Sequence, residues 1–321
     1  MQAAGPFTFH NDDADVVVHR WMPAGAAKAA VVIAHGMAEH AARYARFSAA
    51  LNAAGYAVYA PDLRGHGLSA GEDAELGRLG PDGWNGMVRD LDRLAEIVRG
   101  ELPGVALFAF GHSMGSILMQ RFIQLRGSEL AGAILSGTTA SAPNLALAIP
   151  VAQVAALGPG GRQPSPLLKK MFADFNQPFA PSRTGFEWLS RDEAEVQTYV
   201  DDPRCGFAFT NRSLADTLKG WRDVWLAENE RRIPSALPIL MFSGERDPVG
   251  RNTAGVRELA ERYRSLGLRD VQVTFYPDAR HETLNEANRD EVQRDVVAWL
   301  EAHAGQSRKM SSPSGVPGDT A

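Results

Sequence analysis

The 321-residue chain has little cysteine: Cys205 stands alone, so no internal disulfide can staple the fold. That usage fits a reducing compartment or indifference to redox state. Basic runs are also missing. The formal net charge is -5 and the arginines are scattered among acids, which excludes the basic stripe of a nucleic-acid binder. The N-terminal stretch MQAAGPFTFHNDDAD has neither the basic n-region nor the apolar h-region of a secretory signal, so the expected location is cytoplasmic. No apolar run reaches a membrane span of roughly 20 residues. The longest uncharged stretch, Leu130 to Gly161, is broken by Gly132, Gly137, Pro143, Pro150 and Gly158. There is no internal repeat.

With 45% hydrophobic and 22% charged residues, the composition is that of an ordinary globular protein. Short apolar runs read as strands: VVVHRW (16–21), AVVIAHG (30–36), YAVYAPD (56–62), VALFAFG (105–111), GAILSG (132–137), PILMFSG (238–244) and VQVTFYPD (271–278). Most are continuous, as expected for parallel strands buried on both faces. Segments 44–55, 84–100, 252–267 and 287–305 carry helical spacing between them. This alternation predicts an α/β fold with a parallel sheet. FTFHNDDADVVVHRW predicts an antiparallel hairpin at its edge, turning at the Asn-Asp cluster.

The alternation stops between about 140 and 232. That stretch is far longer than an ordinary connection and is expected to be an inserted helical cap or lid. The expected organisation is a core in two parts, 1–139 and 233–305, the cap at 140–232, and a polar, Pro/Gly/Ser-rich tail at 306–321 read as disordered.

Within LFAFGHSMGS, Ser113 satisfies G-x-S-x-G, a permissive pattern alone. Its position after a strand and before the helix-like SILMQRFIQLRG puts it on a strand-to-helix turn. A serine hydroxyl is a poor nucleophile without a base and an acid to orient that base. Only His281 and His303 follow Ser113 in the chain. His303 reads as a solvated histidine at a helix end, whereas His281 follows the last strand. Asp247, in GERDPVG, lies after another strand, with Asp270, Asp278 and Glu245 as rivals. The order Ser113, Asp247, His281 is the nucleophile, acid, base order of α/β-hydrolases. A tetrahedral oxyanion also needs donors already aimed at it: the backbone N–H of Met114 and, from the loop after the second long strand, that of Met37. His35, Glu39 and His40 are read as ordering that loop.

HGMAEHAARY, PDLRGHGLSAG, GHSMGS, SGERDPVG and HETLNE together resemble the α/β-hydrolase superfamily, and within it the monoacylglycerol lipase and lysophospholipase-like branch, also catalogued as serine aminopeptidase-like hydrolases. The resemblance runs from about residue 8 to 303. It implies a mostly parallel eight-stranded sheet flanked by helices, with a helical cap inserted after the sixth strand. It further implies Ser113 as nucleophile, His281 as base, Asp247 as orienting acid, Met37 and Met114 as oxyanion donors, and no metal or organic cofactor. Asp62, Arg64 and His66 fall in a structural loop. Where mammalian lipases resemble H-G-A-G-E-H this chain has HGMAEH, so acyl-length preference does not carry over.

The implied reaction is two-step ester hydrolysis through an acyl-enzyme on a lipid or small acyl ester. In the apolar segment 144–157, Leu145, Leu147, Ile149, Val154 and Leu157 are candidates to line an acyl channel; ordinary packing of a cap helix on the core is the alternative. Reversible docking of the cap on micelles or bilayers is a further reading. Two other functions remain open. One is a peptidase whose acidic run, Asp192, Glu193, Glu195, Asp201 and Asp202, would bind a peptide ammonium; the other is a non-catalytic binding member of the fold.

Overall fold

The computed structural model describes residues 5–141 and 145–304. Its centre is one eight-stranded sheet in the order β1-β2-β4-β3-β5-β6-β7-β8. Strands β1 (Phe7–Asn11) and β2 (Ala14–Trp21) form the expected hairpin, and β2 also pairs antiparallel with β4 (Tyr56–Pro61). All other neighbours are parallel: β3 (Ala29–Ala34), β5 (Ala106–His112), β6 (Gly132–Ser136), β7 (Ile239–Gly244) and β8 (Val271–Tyr276).

The continuous apolar runs have the predicted cause, because every residue of β3, β4, β6 and β7 is buried. Alternate side chains feed opposite cores. In β3, Ala30, Val32 and Ala34 join one core, and Ala29, Val31 and Ile33 the other. Helices α1 (Ala45–Ala53) and α10 (Arg289–Ala304) cover the second face through Phe47, Leu51, Val296 and Leu300. The first face is covered by α2 (Gly83–Glu101), α3 (Met114–Arg126) and α9 (Ala254–Ser265). In α2 the buried Met87, Leu91, Leu94, Ala95 and Val98 recur at helical spacing, so one stripe meets the sheet.

Between β6 and β7 the described residues form five more α-helices: α4 (Leu145–Ala155), α5 (Pro166–Asn176), α6 (Glu193–Asp201), α7 (Asn211–Val224) and α8 (Ala227–Glu230). The tail at 306–321 lies outside the described residues. Among the described residues, no helix is long and apolar enough to cross a membrane.

The chain leaves β3 toward β4 on one side and returns to β5 on the other. The two connections diverge there and open a crevice at the carboxyl ends of β3 and β5, where open α/β sheets hold their ligands. The loop after β4 braces this edge. Asp62 accepts from the Ala41 and Leu68 N–H groups at 2.8 and 2.7 Å. Burial opposes its charge, yet those bonds and His19 hold it down at a pKa of about 2. Buried Arg64 donates to both oxygens of buried Asp90, at 2.6 and 2.9 Å, and to Asp13 of the hairpin turn at 2.6 Å. His66, held neutral by burial with its pKa pushed down to about 3, packs edge-on against Phe207 and Phe209. Arg64→Ala strands the Asp90 carboxylate in the core and should cost about 3–5 kcal/mol, read as a lower urea midpoint.

Candidate active site

Strand β5 ends at His112 and α3 begins at Met114, so Ser113 makes the whole turn. It does so at φ 53°, ψ -123°, a region costly for any side chain beyond Gly, on the order of 1–3 kcal/mol. The surroundings enforce it: Ser113 N–H donates to Ser136 O at 2.9 Å, and Ser113 O accepts from Ser116 N and Oγ at 2.8 and 2.6 Å. The flanking glycines serve packing. A Cβ on Gly111 would lie 2.4 Å from Gly115 O, and one on Gly115 would lie 2.1 Å from Ala34 O. Glycine at both positions lets α3 start directly against the end of β3.

The loop after β3 meets Ser113 at Gly36, where an added Cβ would stand 3.3 Å from Ser113 Cβ. His35 orders this loop, as its sequence position implied. Leu63 N–H donates to its Nε2 at 3.0 Å, so Nδ1 carries the proton and donates to Gly36 O at 2.8 Å. Burial pushes its pKa down to about 4, keeping it neutral. Among the described residues, neither the Met37 nor the Met114 N–H is taken by a loop or turn hydrogen bond. Met114 is the first residue of α3, where unpaired N–H groups and the helix dipole favour negative charge.

His281 stands in the loop after β8, 2% exposed, with Nδ1 2.9 Å from Asp247 Oδ1. Its Nε2 is buried and has no protein hydrogen-bond partner among the described residues. Its ring packs on His112 and Trp188, with centroids 4.7 and 5.0 Å away. Asp247 is fully buried and further accepts from Ser243 Oγ and Val249 N–H, each at 2.9 Å. Burial works against charge on both groups, and their mutual attraction outweighs it. Asp247 is held below the usual carboxylate range and His281 above the usual imidazole value. The rivals lie elsewhere: Glu245 and Asp278 are exposed, and Asp270 pairs with His303 at 3.0 Å. His303 itself is not solvated as its helix-end position implied. It is 4% exposed because Trp299 and Asp270 cover it.

Ser113, His281, Met37 and Met114 all border one cavity of about 590 Å³. Of the channel candidates, Leu145 lines it and Ile149 is buried in the core alongside. Leu147, Val154 and Leu157 lie outside it, 75%, 70% and 72% exposed, because α4 is apolar on both faces and only one can turn inward. The walls not foreseen come from α5 (Leu167, Leu168, Met171, Phe172) and α7 (Leu214, Leu218, Trp221). Their i, i+3, i+4, i+7 spacing inside a long insertion was the available signal. The acidic run does not border the cavity. Instead Asp192 caps α6 and meets Arg289, Glu195 meets Arg46, Asp202 meets His40, and Glu193 and Asp201 are exposed.

A second feature missed in the sequence is a buried charge bridge. Arg43 donates to both Glu282 oxygens at 2.8 and 2.7 Å and to Glu39 at 2.6 Å. Glu39 in turn takes the Gly36 N–H. One guanidinium thereby joins the loop beside Ser113 to the residue after His281. The signal was Glu39, Arg43 and Glu282 standing within two of the five quoted motifs.

The sheet order, the serine on the strand-to-helix turn and the helices inserted after β6 define an α/β-hydrolase. The family model described as serine aminopeptidase, S33, matches residues 25–288, and the chain belongs to that family. A monoacylglycerol lipase of Mycolicibacterium smegmatis is 30% identical over 90% of this chain and 93% of its own length. The monoglyceride lipase of Mus musculus is 26% identical over 87% and 84%. Among solved structures, a thermostable carboxyl esterase from Bacillus coagulans in complex with glycerol superposes with a TM-score of 0.87, at 28% identity, covering 93% of this chain and 98% of that one. The protein is a hydrolase, and these relatives support ester hydrolysis.

The Asp247–His281 pair makes a prediction independent of substrate. NMR titration should place the His281 imidazole midpoint above the ordinary 6.5, and Asp247→Asn should lower it. An unmoved midpoint would mean that the carboxylate does not govern the ring.

Proposed function

We propose that the chain is a serine esterase of the monoacylglycerol lipase and lysophospholipase type. Ser113 Oγ attacks the ester carbonyl while His281 Nε2 accepts its proton, and Asp247 holds the ring and stabilises the imidazolium. The Met37 and Met114 amides receive the oxyanion. As the tetrahedral intermediate collapses, His281 returns the proton to the departing alcohol. Water then repeats the sequence on the acyl-enzyme and frees the acid. His281 must be neutral to act, so its raised pKa implies activity that falls as pH drops through that value.

The observation that carries the substrate class is the cavity at Ser113: about 590 Å³ walled mainly by leucine, methionine and aromatic side chains. A pocket of that size and lining suits an acyl chain. Its charged members each have an ion-pair partner: Lys170 and Asp174 pair within the lining, while Arg251 pairs with Glu258, and Glu39 and Glu282 with Arg43, outside it. A peptide ammonium would need an unpaired carboxylate there, and the acidic run that suggested one is turned away. Ser113→Ala should abolish fluorophosphonate labelling and lower p-nitrophenyl ester turnover by about 10⁶-fold. The parent should cleave a monoacylglycerol and leave an aminoacyl p-nitroanilide intact; the reverse preference would overturn the reading.

Substrate delivery is read from the outer face of α4. Leu147, Val151, Val154 and Leu157 are exposed together on the insertion that roofs the cavity, and residues 145–161 carry no charge. Such a face fits transient contact with a micelle or bilayer. Leu147→Asp with Val154→Asp should reduce liposome co-sedimentation severalfold while leaving hydrolysis of a soluble short-chain ester unchanged. Equal sedimentation of parent and variant would refute the contact.

A further inference from the structure

The loop after β3 runs on past Met37 to His40, and the stretch following α6 lies over it. Ala38 O marks the seam, accepting from Tyr199 Oη and Gly206 N–H at 2.9 Å each. Beside that seam, His40 Nε2 lies 2.8 Å from Asp202 Oδ2, and one ligand atom each of His40, Asp202 and Cys205 fall within 4.8 Å of one another. We propose that His40, Asp202 and Cys205 form a binding site for a borderline-soft divalent cation, zinc foremost, which would clamp the insertion onto the loop after β3.

The donor set is one nitrogen, one oxygen and one sulfur, the mixture zinc takes at about 2.0–2.3 Å in tetrahedral sites. That geometry puts ligand atoms about 3.3–3.6 Å apart, so the trio adjusts by only about 1 Å on binding. The carboxylate is already oriented, because Arg204 N–H holds Asp202 Oδ1 at 2.8 Å and leaves Oδ2 toward His40. Cys205 N–H donates to Asp202 O at 3.0 Å, keeping thiol and carboxylate on one turn. The His40 and Asp202 side chains are 13% and 30% exposed, which gives a cation an approach and a water the fourth position.

Local charge favours a dication. Beside the trio, Glu39 and Glu282 are both buried and share the single guanidinium of Arg43. Three carboxylates facing one cation in a poorly solvated region leave negative charge that a bound ion would offset. Burial pushes the Cys205 thiol above its ordinary value. On binding, the sulfur gives its proton to bulk water and takes up the cation, and the His40–Asp202 hydrogen bond is replaced by two bonds to metal.

The test uses untagged, full-length protein and Co²⁺ as a spectroscopic probe. One equivalent should produce a thiolate-to-cobalt absorption in the near ultraviolet that zinc then bleaches. Cys205→Ser should lose that band, and competition with a chromophoric chelator should show its zinc affinity weakened more than about tenfold. Zinc should raise the thermal midpoint of the parent and leave that of Cys205→Ser unchanged. Circular dichroism establishes that the variant is folded, and none of these readings depends on ester hydrolysis. A parent without the thiolate band, or a folded Cys205→Ser that keeps parental zinc affinity, overturns the proposal.

Discussion

The site rests on a steric constraint: the first turn of α3 lies against the end of β3, with backbone of Gly115 close to the carbonyl of Ala34. No residue is available between β5 and α3 to relax the turn, so Ser113 adopts the left-handed backbone that projects it into the crevice. The strain is local and is offset by four hydrogen bonds made by the Ser113 backbone N–H and carbonyl. The α3 N-terminus, the Gly36 loop and the serine are therefore positioned by one contact. A shift in any of them moves the others.

Charge supplies the second link. Ser113 and His281 belong to loops that follow different strands, and nothing in sheet pairing alone relates the two loops to within a fraction of an ångström. The Glu39–Arg43–Glu282 bridge ties the Gly36 loop, which packs on Ser113, to the residue after His281, through a guanidinium that is bidentate on Glu282 and bonds once to Glu39. Two carboxylates and one guanidinium out of water are costly unless each is well bonded. Here they are, through Gly36 N–H, Tyr44 Oη and Asn285 as well. The network exchanges some stability for a fixed distance between two loops.

Much of this was legible in the sequence, for identifiable reasons. Strands buried on both faces must be continuously apolar, so β3 to β7 stood out; chain order singled out Ser113, Asp247 and His281, of which the structure pairs Asp247 with His281 and sets Ser113 and His281 on one cavity. What escaped were features decided by tertiary neighbours. Helical spacing in α5 and α7 says that one face is buried, not that it is buried against a cavity. Leu147, Val154 and Leu157 were misassigned because uniform apolarity carries no phase, so nothing in α4 tells inside from outside. His303 appeared exposed by position, but Trp299 and Asp270 cover it. The domain limits drawn at 140 and 232 follow the break in strand alternation and fall between β6, which ends at Ser136, and β7, which begins at Ile239.

The cavity walls of α4, α5 and α7 come from one continuous segment, while Ser113, Asp247 and His281 come from outside it. Pocket shape and the proposed chemical apparatus are thus nearly separate modules, and substitutions can reshape the first without entering the second. The separation is incomplete at a few backbone seams: Trp188 O and Leu189 O accept from the His281 and Glu282 N–H groups, and Ala38 O is held from Tyr199 and Gly206. Side chains cross the seam as well, in the Arg46–Glu195, Arg289–Asp192 and His40–Asp202 pairs. A lineage built on this frame is free to vary what it admits far more readily than how it reacts.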